Sequence, residues 1–441
     1  MLVGSSHTNM FRMRVLSTVL VASVLFACSS NDPVKPPAGD GGSDASVIDS
    51  SVADAADAAP APHFPAFRPE AAQILDNKGG VLTDPKIVSV TWSSDPNEAF
   101  YQTFTDTIGQ SEFWKTAVSE YGVGSAVSGG HVSIKTPPPS TIQDVALDSW
   151  VAQQVGNAPA NGWPVNDPNT VYLLFLPEAL KLTLGGNTEC NSGVGGYHTE
   201  TTANGMSVIY GIVGLECHNV YGTSVTPFAT QVGSHELAEA VTDPHPGAGP
   251  AFYGYDAAHW AWAELLNHQY ENGDACEFFS DSVVSFTKPP YVLQREWSNL
   301  SAKSGHNPCV PNPDPYFSVS PLGMVDITIH DQAPSSNYKK IVTKGYSMQV
   351  GVQASIDFGF YSDAPVPKWT VQAVEGPIFT GFTPPSPTVT LALQTKSGVD
   401  GDVGTLYVTP NFPSPPEGTL VTIISQGTAK HYAPFLLMVT K

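Results

Sequence analysis

Hydrophobic residues between positions 64 and 310 follow strand-like and helix-like patterns in turn. Three runs predict buried strands: KIVSVTW at 86–92, TVYLLFLP at 170–177 and MSVIYGIV at 206–213. Between the first two runs, apolar side chains recur at near-helical spacing, at Phe104, Ile108, Phe113, Trp114, Val118 and Tyr121. Strands interleaved with helices predict an α+β or α/β fold for residues 63–311.

The pattern changes after residue 311. Short runs of apolar and β-branched residues follow one another, separated by stretches rich in Pro, Gly and Asp. No helical period is seen, so the pattern predicts an all-β, immunoglobulin-like sandwich over residues 312–441. The predicted strands are 316–320, 325–329, 347–353, 369–374, 388–393, 405–409, 420–424 and 435–439.

The first 28 residues predict a lipoprotein signal peptide. Arg12 and Arg14 precede an apolar run over residues 15–27, which is shorter than the roughly 20 residues that span a membrane. LFAC at 25–28 resembles a bacterial lipobox, in which the Cys28 thiol receives lipid, and Ser29 is typical of lipoproteins sent to the outer membrane. We expect lipid anchoring in the cell envelope, or secretion; a plain signal peptide with a chance cysteine is the alternative.

Residues 29–62 have no aromatic residue and consist mostly of Asp, Ala, Ser, Pro and Gly. Such a segment cannot bury enough apolar surface to offset the entropy lost on ordering, so we predict a disordered acidic linker. The whole chain carries a formal net charge of −21. Because no basic surplus is available to displace counterions from phosphates, nucleic acid is excluded as a partner.

Four cysteines lie in the predicted folded part, which agrees with export to an oxidising compartment. Three pairings are possible, and pairing neighbours, Cys190 with Cys217 and Cys276 with Cys309, closes the shortest loops. A cysteine metal site is the alternative, but the chain has no CxxC pair.

A helix is predicted to begin after Thr226 and to stop at Asp243-Pro244. Thr226 suits the N-cap position, Pro227 suits the first helical position, and Asp243-Pro244 ends the helix. Leu237 and Val241 lie on a face suited to packing, with small residues beside them. The opposite face carries polar side chains.

That polar face has an HExxE pattern. His235 and Glu239 are four residues apart and share one face of the helix, with Glu236 one step around. In the HExxH helix of zinc proteases, the first and last residues bind zinc and the intervening Glu is the general base. A carboxylate also binds zinc, so we predict His235 and Glu239 as ligands and Glu236 as the catalytic base. An amphipathic surface helix is the alternative.

A catalytic zinc needs a third protein ligand. His245 lies ten residues after His235, the offset of the third histidine in the metzincin motif. Asp274 and Asp243 are the other main candidates, while His198 and His218 near the cysteines are weaker ones.

An ordered series of short stretches resembles the Exordium / phosphate-induced protein family, known from plant cell walls and with bacterial relatives. The resemblance implies a secreted, disulfide-bearing α/β domain with a protease-like HExxE helix, and it carries over His235, Glu236, Glu239 and Asp274. It implies no substrate. The stretches are VTW at 90–92, FWKT at 113–116, VYLL at 171–174, GGYH at 195–198, HELAEAVTDP at 235–244, ENGDAC at 271–276, YVLQ at 291–294 and WSN at 297–299.

Three functions are compatible with these patterns. The first is a cell-surface lipoprotein with a zincin-like, zinc-dependent hydrolase domain that acts on peptide bonds. The second is a non-catalytic envelope module that binds protein or carbohydrate, with a structural metal or none; a purely structural envelope protein is a third. One His with two carboxylates neutralises a divalent cation, which favours weak hydrolysis or a structural role. Calcium is less favoured because it takes six to eight oxygen ligands.

Aromatic residues are frequent between Gly247 and Asn272, an insertion-like stretch relative to the resembled family. They include Phe252, Tyr253, Tyr255, Trp260 and Trp262. Such side chains either line a binding groove or fill a core, and core packing is the favoured interpretation.

Overall fold

The computed structural model describes residues 67–287, 290–331, 339–377 and 387–441. The predictions of a signal peptide, of lipidation at Cys28 and of a linker over residues 29–62 concern positions outside these ranges. Within the described ranges, no helix is both long and apolar enough to cross a membrane.

The first part of the described chain mixes strands and helices. Its strands are β1 (Ile74–Asp76), β2 (Lys86–Trp92), β3 (Val127–Ile134), β4 (Thr141–Gln143), β5 (Thr170–Leu176), β6 (Lys181–Leu184), β7 (Asn187–Thr188), β8 (Gly196–Ala203), β9 (Met206–Gly214), β10 (Phe252–Tyr255), β11 (Val283–Ser285), β12 (Val292–Gln294), β13 (Glu296–Trp297) and β14 (Cys309–Val310). Its helices are α1 (Glu98–Thr107), α2 (Glu112–Val118), α3 (Asp144–Gly156), α4 (Val225–Thr242), α5 (Ala261–Leu265), α6 (Asp274–Glu277) and α7 (Asn299–Ser304). The three predicted buried strands are confirmed as β2, β5 and β9.

A five-stranded sheet forms the centre of this part, with the strand order β3-β2-β5-β9-β8. The first four strands are parallel, and β8 pairs antiparallel with β9 at one edge. Helices α1, α2 and α4 contribute to the apolar cluster on one face, and α3 contributes to the cluster on the other. Every residue of β5 is buried because both faces of the sheet are covered, which explains its continuous apolar run.

Helix α4 packs against β5, β8 and β9 of this sheet. It begins at Val225 after the N-cap Ser224, so the prediction of Thr226 as the N-cap is wrong. The Ser224 backbone is extended, as an N-cap requires, although its side chain makes no capping hydrogen bond. The helix ends at Thr242, as predicted, because Pro244 disfavours a helical conformation for Asp243.

The second part consists of strands in two larger sheets. They are β15 (Phe317–Pro321), β16 (Val325–Asp331), β17 (Lys339–Gln349), β18 (Ala354–Ser362), β19 (Trp369–Glu375), β20 (Val389–Leu393), β21 (Ser397–Gly398), β22 (Val403–Pro410), β23 (Thr419–Gln426) and β24 (Lys430–Thr440). The sheet orders are β15-β18-β22-β20 and β16-β17-β24-β23-β19-β21. Side chains from both sheets share one apolar cluster, including Phe358, Phe360, Leu406, Phe435 and Leu437. The prediction of a sandwich-like, strand-rich C-terminal part is confirmed.

Strand β18 is absent from the sequence-based strand assignment. Ile356, Phe358 and Phe360 alternate along it, but Asp357 and Gly359 between them are typical of turns. Gly359 is required here because a Cβ at this position would lie 2.1 Å from the Phe67 ring. A tertiary contact therefore places glycine inside a central strand.

The six-stranded sheet also packs against the first part of the chain. Trp262, Leu266 and Phe279 share a buried cluster with Ile424 and Tyr432. The Phe279 and Tyr432 rings stack with centroids 5.1 Å apart. The two parts accordingly belong to one compact unit over the residues that the structure describes.

Both disulfides have the pairing that closes the shortest loops. Cys190 bonds to Cys217, and Cys276 bonds to Cys309. The alternative of a cysteine metal site is wrong, since all four thiols are consumed in these bonds.

Candidate metal centre

Helix α4 presents its HExxE residues towards two other segments of the chain. His235 and Glu239 are one turn apart, and Nε2 of His235 lies 3.2 Å from Oε1 of Glu239. The helix is buried over most of its length, so these polar side chains do not face bulk solvent. The interpretation of α4 as an amphipathic surface helix is therefore wrong.

The loop over residues 271–276 meets α4 at these side chains. The backbone N–H of Asp274 donates to Oε1 of Glu239 at 3.1 Å. Asn272 fixes the loop from both sides, since its Oδ1 accepts from Thr242 Oγ1 at 3.1 Å and its carbonyl accepts from Trp297 N at 2.8 Å. The Cys276–Cys309 disulfide ties the next turn of the loop to β14.

His235, Glu239 and Asp274 form the first triad. One ligand atom from each of the three lies within 4.8 Å of the others. Oδ1 of Asp274 is 4.0 Å from Nε2 of His235. Imidazole nitrogen and carboxylate oxygen are ligands that zinc takes, so these residues suit a divalent cation. Of the third-ligand candidates, Asp274 is the one brought into this triad.

His198, Glu239 and Glu271 form the second triad, also with ligand atoms within 4.8 Å. His198 enters from β8, the edge strand beside α4. Its Nδ1 lies 3.4 Å from Oε2 of Glu239, and its Nε2 lies 3.5 Å from Oε1 of Glu271. The two triads therefore share Glu239.

The other candidates serve local structure. His245 belongs to neither triad, and its Nδ1 lies 2.7 Å from Oε2 of Glu200. The structure therefore does not bring His245 to the other predicted ligands: the chain turns after Pro244 and the ring is engaged by Glu200. Oδ1 of Asp243 accepts from the Ala251 backbone N–H at 2.6 Å. His218 lies 3.0 Å from Glu178.

Seven carboxylates lie in one another's electrostatic field around the two histidines. Among the described residues, no lysine or arginine makes an ion pair with any of them. They are Glu236, Glu239, Asp243, Glu271, Asp274, Glu277 and Glu296. Burying so many like charges is unfavourable unless protons or cations neutralise them.

The pKa values around the centre reflect the burial of these like charges. Burial, reinforced by the charge of Glu239, raises the pKa of Asp274 to about 8. Burial also raises the pKa of Glu271 and of Glu296 well above the usual range. Burial would raise the pKa of Glu239 as well, but the adjacent His235 and His198 hold it well below its usual range. Glu239 is therefore the carboxylate that remains ionised.

His235 has the opposite shift. Burial alone would lower its pKa, but the charge of Glu239, with a contribution from Glu236, raises the pKa of His235 well above its usual range. In the metal-free protein, the ring thus carries a proton that a cation would replace. Its Nδ1 lies 2.6 Å from the side-chain amide of Gln294, and the amide nitrogen of Gln294 donates to the Gly273 carbonyl at 2.9 Å.

A cation fits these residues on two structural grounds. Glu296 is fully buried, and neither of its carboxylate oxygens has a hydrogen-bond partner. A Cβ at Gly273 would lie 2.7 Å from Oε1 of Glu239 and 2.8 Å from Nδ1 of His235, so the absence of a side chain leaves room for one ligand atom and for the ring of the other ligand. The site thus combines a suitable donor set with unneutralised buried charge.

Glu236 points from α4 towards the start of β8. A Cβ at Gly196 would lie 2.7 Å from Oε1 of Glu236, so the carboxyl group packs directly on the strand backbone. The residue is 3 % exposed and its Oε2 has no hydrogen-bond partner. Burial raises the pKa of Glu236 well above its usual range, and a nearby cation would lower it again.

Sequence reasoning missed Glu271, Gln294 and Glu296 as parts of this centre. Glu271 and Gln294 lie in stretches that resemble the Exordium family, and Glu296 directly precedes one, but none has helical spacing to His235. The remaining signal was the excess of acidic residues over basic ones, 40 against 19. The aromatic stretch is largely core, since Tyr255, Trp260 and Trp262 are buried, which confirms the favoured interpretation.

Comparisons with known proteins identify no family. No family model matches the chain, and no curated protein matches it. Matching solved structures include the titin M3 domain, at 13 % identity over 22 % of this chain and 88 % of that chain, with a TM-score of 0.15. Domains 4 and 5 of the S-layer protein SbsC match at 14 % identity over 34 % of this chain and 81 % of that chain, with a TM-score of 0.16. Similarities with TM-scores this low support no conclusion about the fold or function of this chain. The Exordium resemblance stays a prediction.

Proposed function

We propose that the first part of the chain is a zincin-like domain that holds a zinc-type divalent cation and hydrolyses peptide bonds. The observation that carries this proposal is the convergence of His235, Glu239 and Asp274 within ligand distance of one another. These three residues would hold the ion. When bound, it would supply a Lewis acid that polarises a substrate carbonyl.

Glu236 would transfer the proton. It is adjacent in sequence to His235 and lies under the edge strand beside the centre. In the proposed reaction, its carboxylate accepts a proton from the attacking water and donates it to the leaving amine. Glu236 thus ends the cycle in the state in which it began.

The sheet edge supports a peptide as the substrate class. Strand β8 carries His198 and lies at the edge of the five-stranded sheet, and no other described strand pairs with its outer side. An extended peptide can add to such an edge through main-chain hydrogen bonds. A substrate bound there would pair with the strand that carries His198, which contacts the ligand Glu239.

A second candidate function is a structural cation in a non-catalytic envelope module. Low exposure of the ligands favours it: the side chains of Glu239, His235 and Asp274 are 4 %, 12 % and 19 % exposed. The predicted lipid anchor at Cys28, the outer-membrane location and a peptide or cell-wall ligand remain part of both proposals. The two disulfides support an extracellular compartment for either.

Glu236→Gln separates the two functions. We expect the full chain to cleave fluorescently labelled casein with zinc, to stop after chelation and to recover when zinc is restored. Glu236→Gln should keep its zinc and lose the cleavage, whereas Glu178→Gln, which alters an exposed carboxylate, should behave as wild type. Cleavage by Glu236→Gln would refute the catalytic role. Bound zinc without cleavage in the wild type would favour the structural function.

A further inference from the structure

We propose that Glu239 bridges two divalent cations, of which the second is held by His198 and Glu271. This proposal rests on the proposed function, since the first cation is the one assigned to His235, Glu239 and Asp274. It makes the centre a dinuclear site of the kind that hydrolytic enzymes use to hold both reacting oxygens.

The two carboxylate oxygens of Glu239 face different histidines. Oε1 lies 3.2 Å from Nε2 of His235, and Oε2 lies 3.4 Å from Nδ1 of His198. A carboxylate with one oxygen towards each of two nitrogen ligands has the arrangement of a bridging ligand. A mononuclear site would need only the first of these contacts.

The ring of His198 is oriented as a ligand by a backbone carbonyl. Its Nε2 lies 3.1 Å from the carbonyl oxygen of Asp243, which can only accept, so Nε2 carries the proton of this hydrogen bond. The remaining nitrogen, Nδ1, then faces a carboxylate oxygen of Glu239. A histidine that donates one ring N–H to a carbonyl and presents the other nitrogen to a metal is the usual pattern around metal ions.

A lone pair on Nδ1 of His198 and a lone pair on Oε2 of Glu239 would repel each other at 3.4 Å. Nδ1 of His198 and Oε2 of Glu239 therefore need a positive species between them, either a proton on the ring or a cation. Glu271 adds a third donor to this triad, and its Oε1, which lies 3.5 Å from Nε2 of His198, is buried without a hydrogen-bond partner. The second triad thus has the same composition as the first, one imidazole and two carboxylates.

The charge of the surroundings also favours a second ion. Seven carboxyl groups surround the histidines, and no described lysine or arginine pairs with them, so any negative charge formed there is offset by a proton, a histidine or a cation. Glu296 remains without a hydrogen bond, although it lies in the field of His235, Glu239 and Asp274. A second cation would take the place of protons in the second triad, as the first does at His235.

Zinc stoichiometry and manganese spectroscopy of the full chain test the bridge. After chelation and reloading, we expect two zinc equivalents in the wild type, one in His198→Ala, one in His235→Ala and none held tightly in Glu239→Gln. His245→Ala, which removes a nearby histidine outside both triads, should keep two. In the manganese-loaded wild type, electron paramagnetic resonance should show exchange coupling between two ions, and His198→Ala should abolish it.

The outcomes separate this proposal from the proposed function. One equivalent in the wild type, kept by His198→Ala and lost by His235→Ala, refutes the second cation and leaves the first in place. No equivalent in any protein refutes both. Two equivalents without exchange coupling refute the bridge. The wild-type measurements decide the matter even if a variant fails to fold, which near-ultraviolet circular dichroism would show.

Discussion

The backbone N–H of Asp274 donates a hydrogen bond of 3.1 Å to Oε1 of Glu239. This bond joins the loop over residues 271–276 to helix α4, although the two residues are far apart in sequence. It also aligns a carboxylate oxygen of Glu239 with the Asp274 side chain and with His235. Metal binding and loop position are therefore coupled at Glu239.

Gly273→Ala should weaken zinc binding. The Gly273 backbone has φ −69° and ψ −51°, which alanine adopts without strain, so the effect would come from the added methyl group alone. That group would lie 2.7 Å from Oε1 of Glu239 and would displace a ligand. We expect roughly a 10- to 100-fold loss of zinc affinity by calorimetric titration, the range seen when the surroundings of metal ligands are disturbed.

Gly247→Ala is the matched control. A Cβ at Gly247 would meet nothing within 4 Å, so this exposed variant should bind zinc as the wild type does. Equal zinc affinities for the Gly273 and Gly247 variants would contradict the assignment of the first triad.

Removing the Cys276–Cys309 disulfide should affect both stability and zinc binding. Alanine suits both positions because each cysteine is fully buried. Loss of this cross-link, which spans 33 residues, should cost about 2–5 kcal/mol in the free energy of unfolding. Because it also frees the loop that carries Asp274, zinc affinity should fall.

The Cys190–Cys217 disulfide serves as the comparison. It spans 27 residues, so its removal should cost a similar free energy of unfolding. Zinc affinity should fall less, since neither cysteine neighbours a ligand of the first triad. An equal fall in both double variants would argue against a special role for the loop.

The metal-free protein should lose stability as pH rises from 5 to 8. The pKa values of Glu236, Glu271, Asp274 and Glu296 are raised by burial, so the folded state holds protons that the unfolded chain has released. Stability is then greatest at pH values below the pKa values that these groups have in the unfolded chain. It falls as the pH rises towards their pKa values in the folded state. Each extra bound proton contributes a slope of about 1.4 kcal/mol per pH unit. Urea unfolding at several pH values, in the presence of a chelator, measures this slope.

His235 acts in the same direction, because its raised pKa stabilises the fold below pH 6.5 and this contribution is lost as pH rises. Burial lowers the pKa of His431, which acts in the opposite direction.

Glu296→Gln should flatten the slope by about 1.4 kcal/mol per pH unit, whereas the exposed Glu112→Gln should not change it. Added zinc should reverse the trend, since cations compete with protons for the ligands. A stability that rises with pH in chelator would contradict this account.

The C-terminal strands should be required for the stability of the whole described unit. Phe279 and Tyr432 stack at 5.1 Å, within a cluster shared by the two parts. Tyr432→Ala should lower the free energy of unfolding by about 3–5 kcal/mol, in one transition seen by all probes. Tyr407→Ala, on the exterior of β22, should cost far less. Two separate transitions in the wild type would show that the parts unfold independently.

The chain pattern predicted those features that depend on neighbours in sequence. Helix α4 follows from its periodicity and from Asp243-Pro244 at its end, and β5 follows from an apolar run too long for an exposed strand. His235 and Glu239 are a pair for the same reason, since four residues separate them. Asp274 was among the candidates through the resemblance and through its position beside Cys276.

Residues joined by tertiary contacts could not be predicted in this way. Glu271 and Glu296 reach the centre because a disulfide and the β13–β14 pairing place their segments beside α4. His245 has the spacing of a third ligand, but the turn after Pro244 directs it to Glu200. Sequence spacing predicts ligands on one helix and cannot predict which loops meet it.

Anomalous X-ray diffraction at the zinc absorption edge, from crystals of the full chain grown with zinc, tests the central claim most directly. The account predicts an anomalous peak within ligand distance of Nε2 of His235 and carboxylate oxygens of Glu239 and Asp274. The peak should vanish in His235→Ala and persist in His306→Ala, which alters an exposed histidine elsewhere. Zinc-grown crystals with no peak among these three residues would contradict the account.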